Sequence, residues 1–276
     1  MSTDLERFPF NRFSFNHATA KFWDQTEAIE ACARTGSGIG LWREPVAEHG
    51  LAATAKQVRD AGVTVTSLCR AGFFTDPTDQ AIDDNRRAID ETAELGAPTL
   101  VLVAGPIPEG GTIDSARDGV AEALARLAPY AAERGVTLAI EPLHPMFASD
   151  RCVVSTLGQA LDLAAPHPAA AVGVVVDTYH IWWDPEVWNG IARAGAEGRI
   201  ASFQLADWIT PLPAGVLTGR GQLGDGCIDM RRYRDAVDAT GFTGPIEVEL
   251  FNDALWARPG QEVFDETRAA FARALA

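Results

Sequence analysis

Short apolar runs alternate along this chain with longer stretches whose apolar positions recur at helical spacing. Residues 12–16 form a brief apolar-alternating segment, and residues 21–35 read as a helix. Residues 37–42 read as a strand that ends at Arg43-Glu44-Pro45, where proline can open the next helix. A helix is expected over 46–61, stopped by Gly62. Residues 63–68 are strand-like and 79–95 helical, before Gly96. The buried run 99–104 leads through a Gly/Pro-rich loop, 105–111, into a long amphipathic helix over 113–134, ended by Gly135. The second half repeats this rhythm. Strand-like runs at 137–141, 172–177, 200–204 and 246–249 precede helical stretches at 156–165, 186–194, 230–240 and 261–275.

These are about eight strand–helix pairs with no break in composition, so the chain is expected to be one domain over residues 1–276. Eight such units close naturally into an α/β structure, the (β/α)8 or TIM barrel, whose typical length is ~250 residues. An open doubly wound sheet would show a Gly-rich turn after the first strand, and this chain has none. In a barrel, the loops after the strands carry chemistry and the opposite turns serve stability.

Charge narrows the partners. The formal net charge of −15 argues against nucleic acid and against an anionic membrane surface. Residues 1–7 lack the basic segment and apolar core of a signal peptide. No apolar run approaches the ~18 residues that span a bilayer. Cys32, Cys69, Cys152 and Cys227 are scattered, without a C-x-x-C pair. A cytoplasmic protein with reduced thiols and no zinc–thiolate site is the expectation.

Four apolar runs of the second half finish on an oxygen-bearing side chain: Glu141, Asp177, Gln204 and Glu249. If their strands neighbour one another in a parallel barrel, the four ends converge. Three carboxylates and an amide oxygen would then surround a hard divalent cation. Taken singly, Glu141 also fits a strand-end acid paired with an arginine, and Gln204 a buried amide bonded to a neighbour. His180 follows Asp177 by three residues and suits either a substrate hydroxyl or a structural hydrogen bond. His144 follows Glu141 by three residues and suits acid–base work or a loop contact. His17 is placed near the same mouth, whereas His49 and His167 fall outside it. Glu247 shares a strand face with Glu249, one step deeper. Asp207 lies on the Gln204 segment. Arg220 rides a Gly-rich loop, 218–226, which lacks the G-K-[ST] of a nucleotide loop and can address a substrate oxygen. The aromatics Trp42, Phe73, Phe74, Trp182, Trp183, Trp208 and Phe251 follow expected strands and suggest apolar walls for a ring-bearing ligand, Trp182-Trp183 most of all.

Ile140-Glu-Pro-Leu-His144, Val176-Asp-Thr-Tyr-His180, the Arg220 loop and Ile246-Glu-Val-Glu-Leu250 together resemble the xylose-isomerase-like TIM-barrel superfamily. That group includes sugar phosphate isomerases and epimerases, ketose 3-epimerases and inosose dehydratases. The resemblance implies that Glu141, Asp177 and Glu249 bind a divalent metal, commonly manganese or magnesium. It implies that Glu141 and Glu249 also handle protons on opposite faces of a substrate, and that His180 and Arg220 bind that substrate. The chain departs from the pattern at Gln204, where the group usually has a metal-binding histidine. An amide oxygen there favours Mn2+ or Mg2+ over zinc. A related subgroup, the large subunit of C-glycoside deglycosidases, is similar in Leu143-His-Pro-Met146 and the paired tryptophans.

The expected activity is a metal-dependent sugar isomerase or epimerase acting through an enediolate, with Glu141, Glu249 and His144 as catalytic groups. The alternative is a carbon–carbon lyase on 3-oxo aryl C-glycosides. The expected partners are a small sugar or glycoside, bound in part by Trp182 and Trp183, and either further copies of the chain or a small β-rich subunit. A metal-dependent nuclease shares the fold, but the acidic charge argues against it.

Overall fold

The computed structural model describes residues 10–276; the leader-free reading of residues 1–7 lies outside them. Eight parallel strands close into a barrel: β1 (Phe13–Asn16), β2 (Gly38–Trp42), β3 (Val65–Gly72), β4 (Thr99–Val103), β5 (Thr137–Ile140), β6 (Val172–Asp177), β7 (Ile200–Leu205) and β8 (Ile246–Val248). Each strand pairs with its sequence neighbours, and β8 returns to β1 with Phe13 opposite Ile246. The expected α/β barrel is therefore the observed architecture.

Strand periodicity explains how β1 serves two cores at once. Phe13 and Phe15 point outward onto the last helix, Gly260–Leu275, with edge-to-face contacts of 5.0 Å to Phe271 and 5.1 Å to Phe264. Ser14 and Asn16 face the other way and bond to side chains inside the barrel. The interior itself is divided. Cys69, Val101, Ala139 and Val175 of β3–β6 make a small apolar cluster, against which Trp42 and Ala201 pack. The side facing β1 and β8 is polar.

Helix caps follow the sequence closely. Thr112 with Ser115, and Thr156 with Gln159, form reciprocal capping boxes that start the helices Ile113–Arg134 and Leu157–Ala164. The helix expected over 46–61 is two helices, Arg43–His49 and Leu51–Ala61, because Gly50 sits at φ 97°, outside helical geometry. β3 runs four residues beyond its expected end at Leu68. The loop after β7 contains a small antiparallel ribbon, Asp207–Trp208 with Arg220–Gly221, and the loops after β6 and β8 contain the short helices Thr178–Ile181 and Asp253–Trp256. Among the described residues, no helix is long and apolar enough to cross a membrane.

Candidate active site

The second-half acids come together because their strands are neighbours in register. Asp177 of β6 sits opposite Gln204 of β7, and Gln204 opposite Glu247 of β8. Glu141 lies one residue past β5, and its backbone N–H still donates to Leu102 at 3.0 Å. Glu249 lies one residue past β8 and donates likewise to Leu205 at 3.1 Å. Both are held by backbone pairing although they stand outside the regular strands.

Asp177 is oriented by its own capping role. Its Oδ1 accepts the Tyr179 N–H at 2.8 Å, starting the helix Thr178–Ile181. Its Oδ2 is buried without a hydrogen-bond partner. Gln204 is oriented from below, donating from Nε2 to Glu247 Oε1 at 3.2 Å. Its Oε1 is likewise buried and unpartnered. A carboxylate can only accept, so Glu247 compels the amide nitrogen to face it and turns the amide oxygen the other way.

Glu247 is itself fixed by neutral donors. Asn16 and Thr66 donate to it at 2.7 Å, and Ser67 at 2.9 Å. Burial pushes its pKa up, and the bonds from Asn16 and Thr66 oppose that rise. Gly40 of β2 makes the room: a Cβ there would meet Glu247 Oε1 at 2.6 Å.

Arg220 reaches the acids from the ribbon. Asp207 accepts the N–H groups of Gly224, Gly226 and Ile228, each at 3.0 Å, and so pins the Gly-rich loop. The Arg220 guanidinium lies 2.7 Å from Glu249 Oε2 and 3.8 Å from Asp177 Oδ2, between the rings of Tyr179 and Phe251. Glu249 Oε1 takes the Asn16 amide at 3.1 Å. Burial works against the Arg220 charge, yet Glu249 and Asp177 outweigh it and raise its pKa.

His180 meets a donor at each ring nitrogen. The His144 backbone N–H lies 3.2 Å from its Nδ1, and an Arg220 guanidinium nitrogen, which can only donate, lies 3.4 Å from its Nε2. Burial and then Arg220 hold its pKa well below the ordinary value, so the ring is neutral. Nε2 lies 3.9 Å from Asp177 Oδ2.

The acids strain against one another. Burial, Glu249 and Asp177 raise the Glu141 pKa well above the carboxylate range. Burial raises that of Asp177 to about 7, with Arg220 opposing. Three carboxylates face one guanidinium, so surplus negative charge is enclosed with two orphaned oxygens, Asp177 Oδ2 and Gln204 Oε1. Glu141, Asp177 and His180 each also offer a ligand atom within 4.8 Å of the others. A hard divalent cation fits this donor set, since it would satisfy the orphaned oxygens and neutralise the excess charge.

The remaining expected residues take separate places. Trp183 donates to the His180 carbonyl at 2.8 Å and contacts His144, which stacks on Trp208 at 4.8 Å. Trp182 packs on Trp208 from another side, at 5.3 Å. His144 Nδ1 accepts the Met146 N–H, and burial lowers its pKa. These aromatics form one wall. A cavity of ≈ 550 Å³ opens beside the opposite wall, lined by Trp42, Phe251, Trp256, His17, Arg70 and Arg151 among others. His17 is bonded to the Trp23 carbonyl at 2.9 Å. His49 ends the helix Arg43–His49, and His167 lies in the turn before β6. The exposed large hydrophobics Phe22, Phe73, Met146 and Leu212 all sit on loops that follow barrel strands, around the same rim.

Asn16, Arg70 and Arg151 escaped the sequence reading. Asn16 had a usable signal: it ends the first apolar-alternating strand just as the acids end theirs. It links the Trp42 indole, which donates to its Oδ1 at 2.8 Å, to both Glu247 and Glu249. Arg151 sits in an irregular loop and carries no comparable signal.

Comparison with known proteins agrees with this architecture. The family model for the xylose isomerase-like TIM barrel matches residues 26–273. An inosose isomerase of Bacillus velezensis (strain DSM 23117) is 24% identical over 226 residues, covering 79% of this chain and 78% of that one. A 3-dehydroshikimate dehydratase of Pseudomonas putida is 29% identical over 256 residues, 86% of this chain but 37% of that longer protein. The crystal structure of protein SMc04130 from Sinorhizobium meliloti 1021 superposes with a TM-score of 0.92 at 46% identity, covering 96% of this chain and 98% of that one. With a closed eight-stranded barrel, acids at its C-terminal mouth and a family match over nearly the whole length, the chain belongs to the xylose isomerase-like TIM barrel family.

Proposed function

We propose that this chain is a divalent-cation-dependent isomerase or epimerase of a polyhydroxy carbonyl compound, a sugar or an inosose, working by proton transfer at the carbon beside the carbonyl. The observation that carries the reading is the presence of two glutamates, Glu141 and Glu249, in one buried site but in unlike surroundings. Glu249 is ion-paired with Arg220 at 2.7 Å, while burial and neighbouring acids raise the Glu141 pKa. Pairs of acids held in contrasting environments suit opposite roles in proton transfer.

Glu141, Asp177, Gln204 and Glu249 would hold the cation, and their all-oxygen character favours manganese or magnesium. When bound, such a cation polarises the substrate carbonyl and an adjacent hydroxyl, which acidifies the neighbouring C–H. Glu249 takes the proton, and Glu141, whose protonated form is favoured by burial and neighbouring acids, returns one. His180 hydrogen-bonds a substrate hydroxyl through its ring. His144 keeps Nε2 free for proton exchange at the rim, since Nδ1 is engaged by Met146. The aromatic walls exclude water and strengthen each of these interactions.

Elimination of water is the second reading, favoured by the 29% identical dehydratase. It begins with the same proton abstraction and ends with loss of a β-hydroxyl. The test is incubation with Mn2+ in D2O of an inosose, free ketohexoses, 3-dehydroshikimate and a 3-oxo aryl C-glycoside, followed by NMR. Deuterium entering beside the carbonyl, with an epimer or isomer as product, supports the first reading; an unsaturated product supports the second. Neither exchange nor product across the panel would sink both.

A further inference from the structure

The ≈ 550 Å³ cavity holds a charge arrangement that the acid centre does not use. Lys21, Arg70 and Arg151 all line it. The chain carries 38 acidic residues against 23 basic ones, yet none of these three side chains forms an ion pair or a side-chain hydrogen bond among the described residues. Arg151 Nε is enclosed without any partner. The Arg70 guanidinium lies over the Phe73 ring, 4.3 Å from its centroid, and the Lys21 ammonium lies 5.0 Å from that of Trp256. Glu44 is the acid among the lining residues, and it is exposed. Burial lowers the Arg70 pKa, Glu44 opposes that, and Arg151 adds to it, which places the two guanidinium groups within each other's field.

Lys21 is exposed and Arg70 and Arg151 are half-buried; half-buried cations without a counter-charge leave room for a ligand to supply it. Two residues of the cavity wall also contact the acid centre or its supports. Trp42, on its wall, hydrogen-bonds Asn16, which holds Glu249. Phe251, on the same wall, supports the Arg220 guanidinium. A ligand spanning both would place one end against the glutamates and the other against the arginines.

We infer that Arg70 and Arg151 form a subsite for an anionic group, a carboxylate or a phosphate ester, carried by the polyhydroxy carbonyl substrate. The guanidinium fork matches either anion through paired N–H bonds, and Lys21 adds attraction at the rim. The inference deepens the proposed activity and rests on it only for the carbonyl half of the ligand.

Calorimetry on the Mn2+-loaded protein tests it, with 3-dehydroshikimate and D-fructose 6-phosphate as anionic ligands and an inosose and D-fructose as neutral ones. At least one anionic ligand binds about tenfold or more tighter than the neutral pair, and the two anions tell carboxylate from phosphate. Arg70→Met and Arg151→Met each shrink that preference by about tenfold, Arg70→Lys keeps part of it, and Glu44→Gln enlarges it. Added salt weakens it. Equal binding of neutral and anionic ligands overturns the inference, as does a preference that survives both Met variants when circular dichroism shows them folded. Should an anion bind with this arginine dependence while no ligand exchanges deuterium, the subsite stands and the proton-transfer reading falls.

Discussion

The two halves of the barrel divide the work unequally. Strands β5, β6 and β8 deliver Glu141, Asp177 and Glu249 to the mouth, with Gln204 of β7 beside them. Strands β1 to β4 end instead on Asn16, Trp42, Gly72 and Val103, none of them charged. What the first half contributes is support. Asn16, Thr66 and Ser67 tie down Glu247, which turns Gln204, and Asn16 also steadies Glu249. The acids at the mouth are thus concentrated on one side of a closed cylinder whose other side supplies orientation and walls. Closure makes this possible, because β8 lies against β1 and brings first-half donors within reach of second-half acids.

The sharpest way to break this contrast is to remove a second-half acid. Glu141→Gln and Glu249→Gln are each expected to lower kcat by about 10³-fold, in line with the usual worth of a positioned acid or base. A comparable kcat loss in Asn16→Ala, a first-half supporting change, would erase the division. Next in size is Glu247→Gln. Without a pure acceptor below it, Gln204 loses its fixed orientation, and Mn2+ affinity measured by calorimetry should fall about 10–100-fold. Trp42→Ala tests the first half as a wall: KM should rise about tenfold, with kcat changed much less. A kcat loss matching that of the glutamate variants would move Trp42 into the chemistry.

The smallest expected effect is on stability. Burial raises Asp177 to about 7 in the folded protein and raises Glu141 as well, both above their unfolded values. Their contribution is fully present below the ordinary carboxylate range and is lost as pH rises through about 7. Metal-free protein should therefore melt a few degrees lower at pH 8 than at pH 5 (roughly 2–4 °C per kcal/mol for a chain of this size). Mn2+, if held by the ionised form as proposed, should cancel that decline. A metal-free melting temperature that rises over this interval would contradict the crowding of the acids.

Much of this was legible in the chain because strands and helices write their periods locally. The apolar runs, the capping threonines Thr112 and Thr156 and the stop at Gly135 act within a few residues. The alternation of these elements was enough to choose a (β/α)8 barrel. Gly50 was the local exception: its φ of 97° splits one expected helix into two, and glycine is tolerated in a helix often enough to hide such a break.

Residue type and position at a strand end pointed to Glu141, Asp177, Gln204 and Glu249, which the fold brings to the same end of neighbouring strands. What those side chains face depended on partners far along the chain. Asn16 and Glu247 are 231 residues apart, Ser67 and Glu247 180, and Arg220 and His180 40. The direction of the Gln204 amide, the contacts of the His180 ring and the meeting of Arg70 with Arg151 in one cavity have no local code. Each is decided by which groups closure of the barrel leaves without water, since an enclosed polar atom must find its partner wherever the fold has put one.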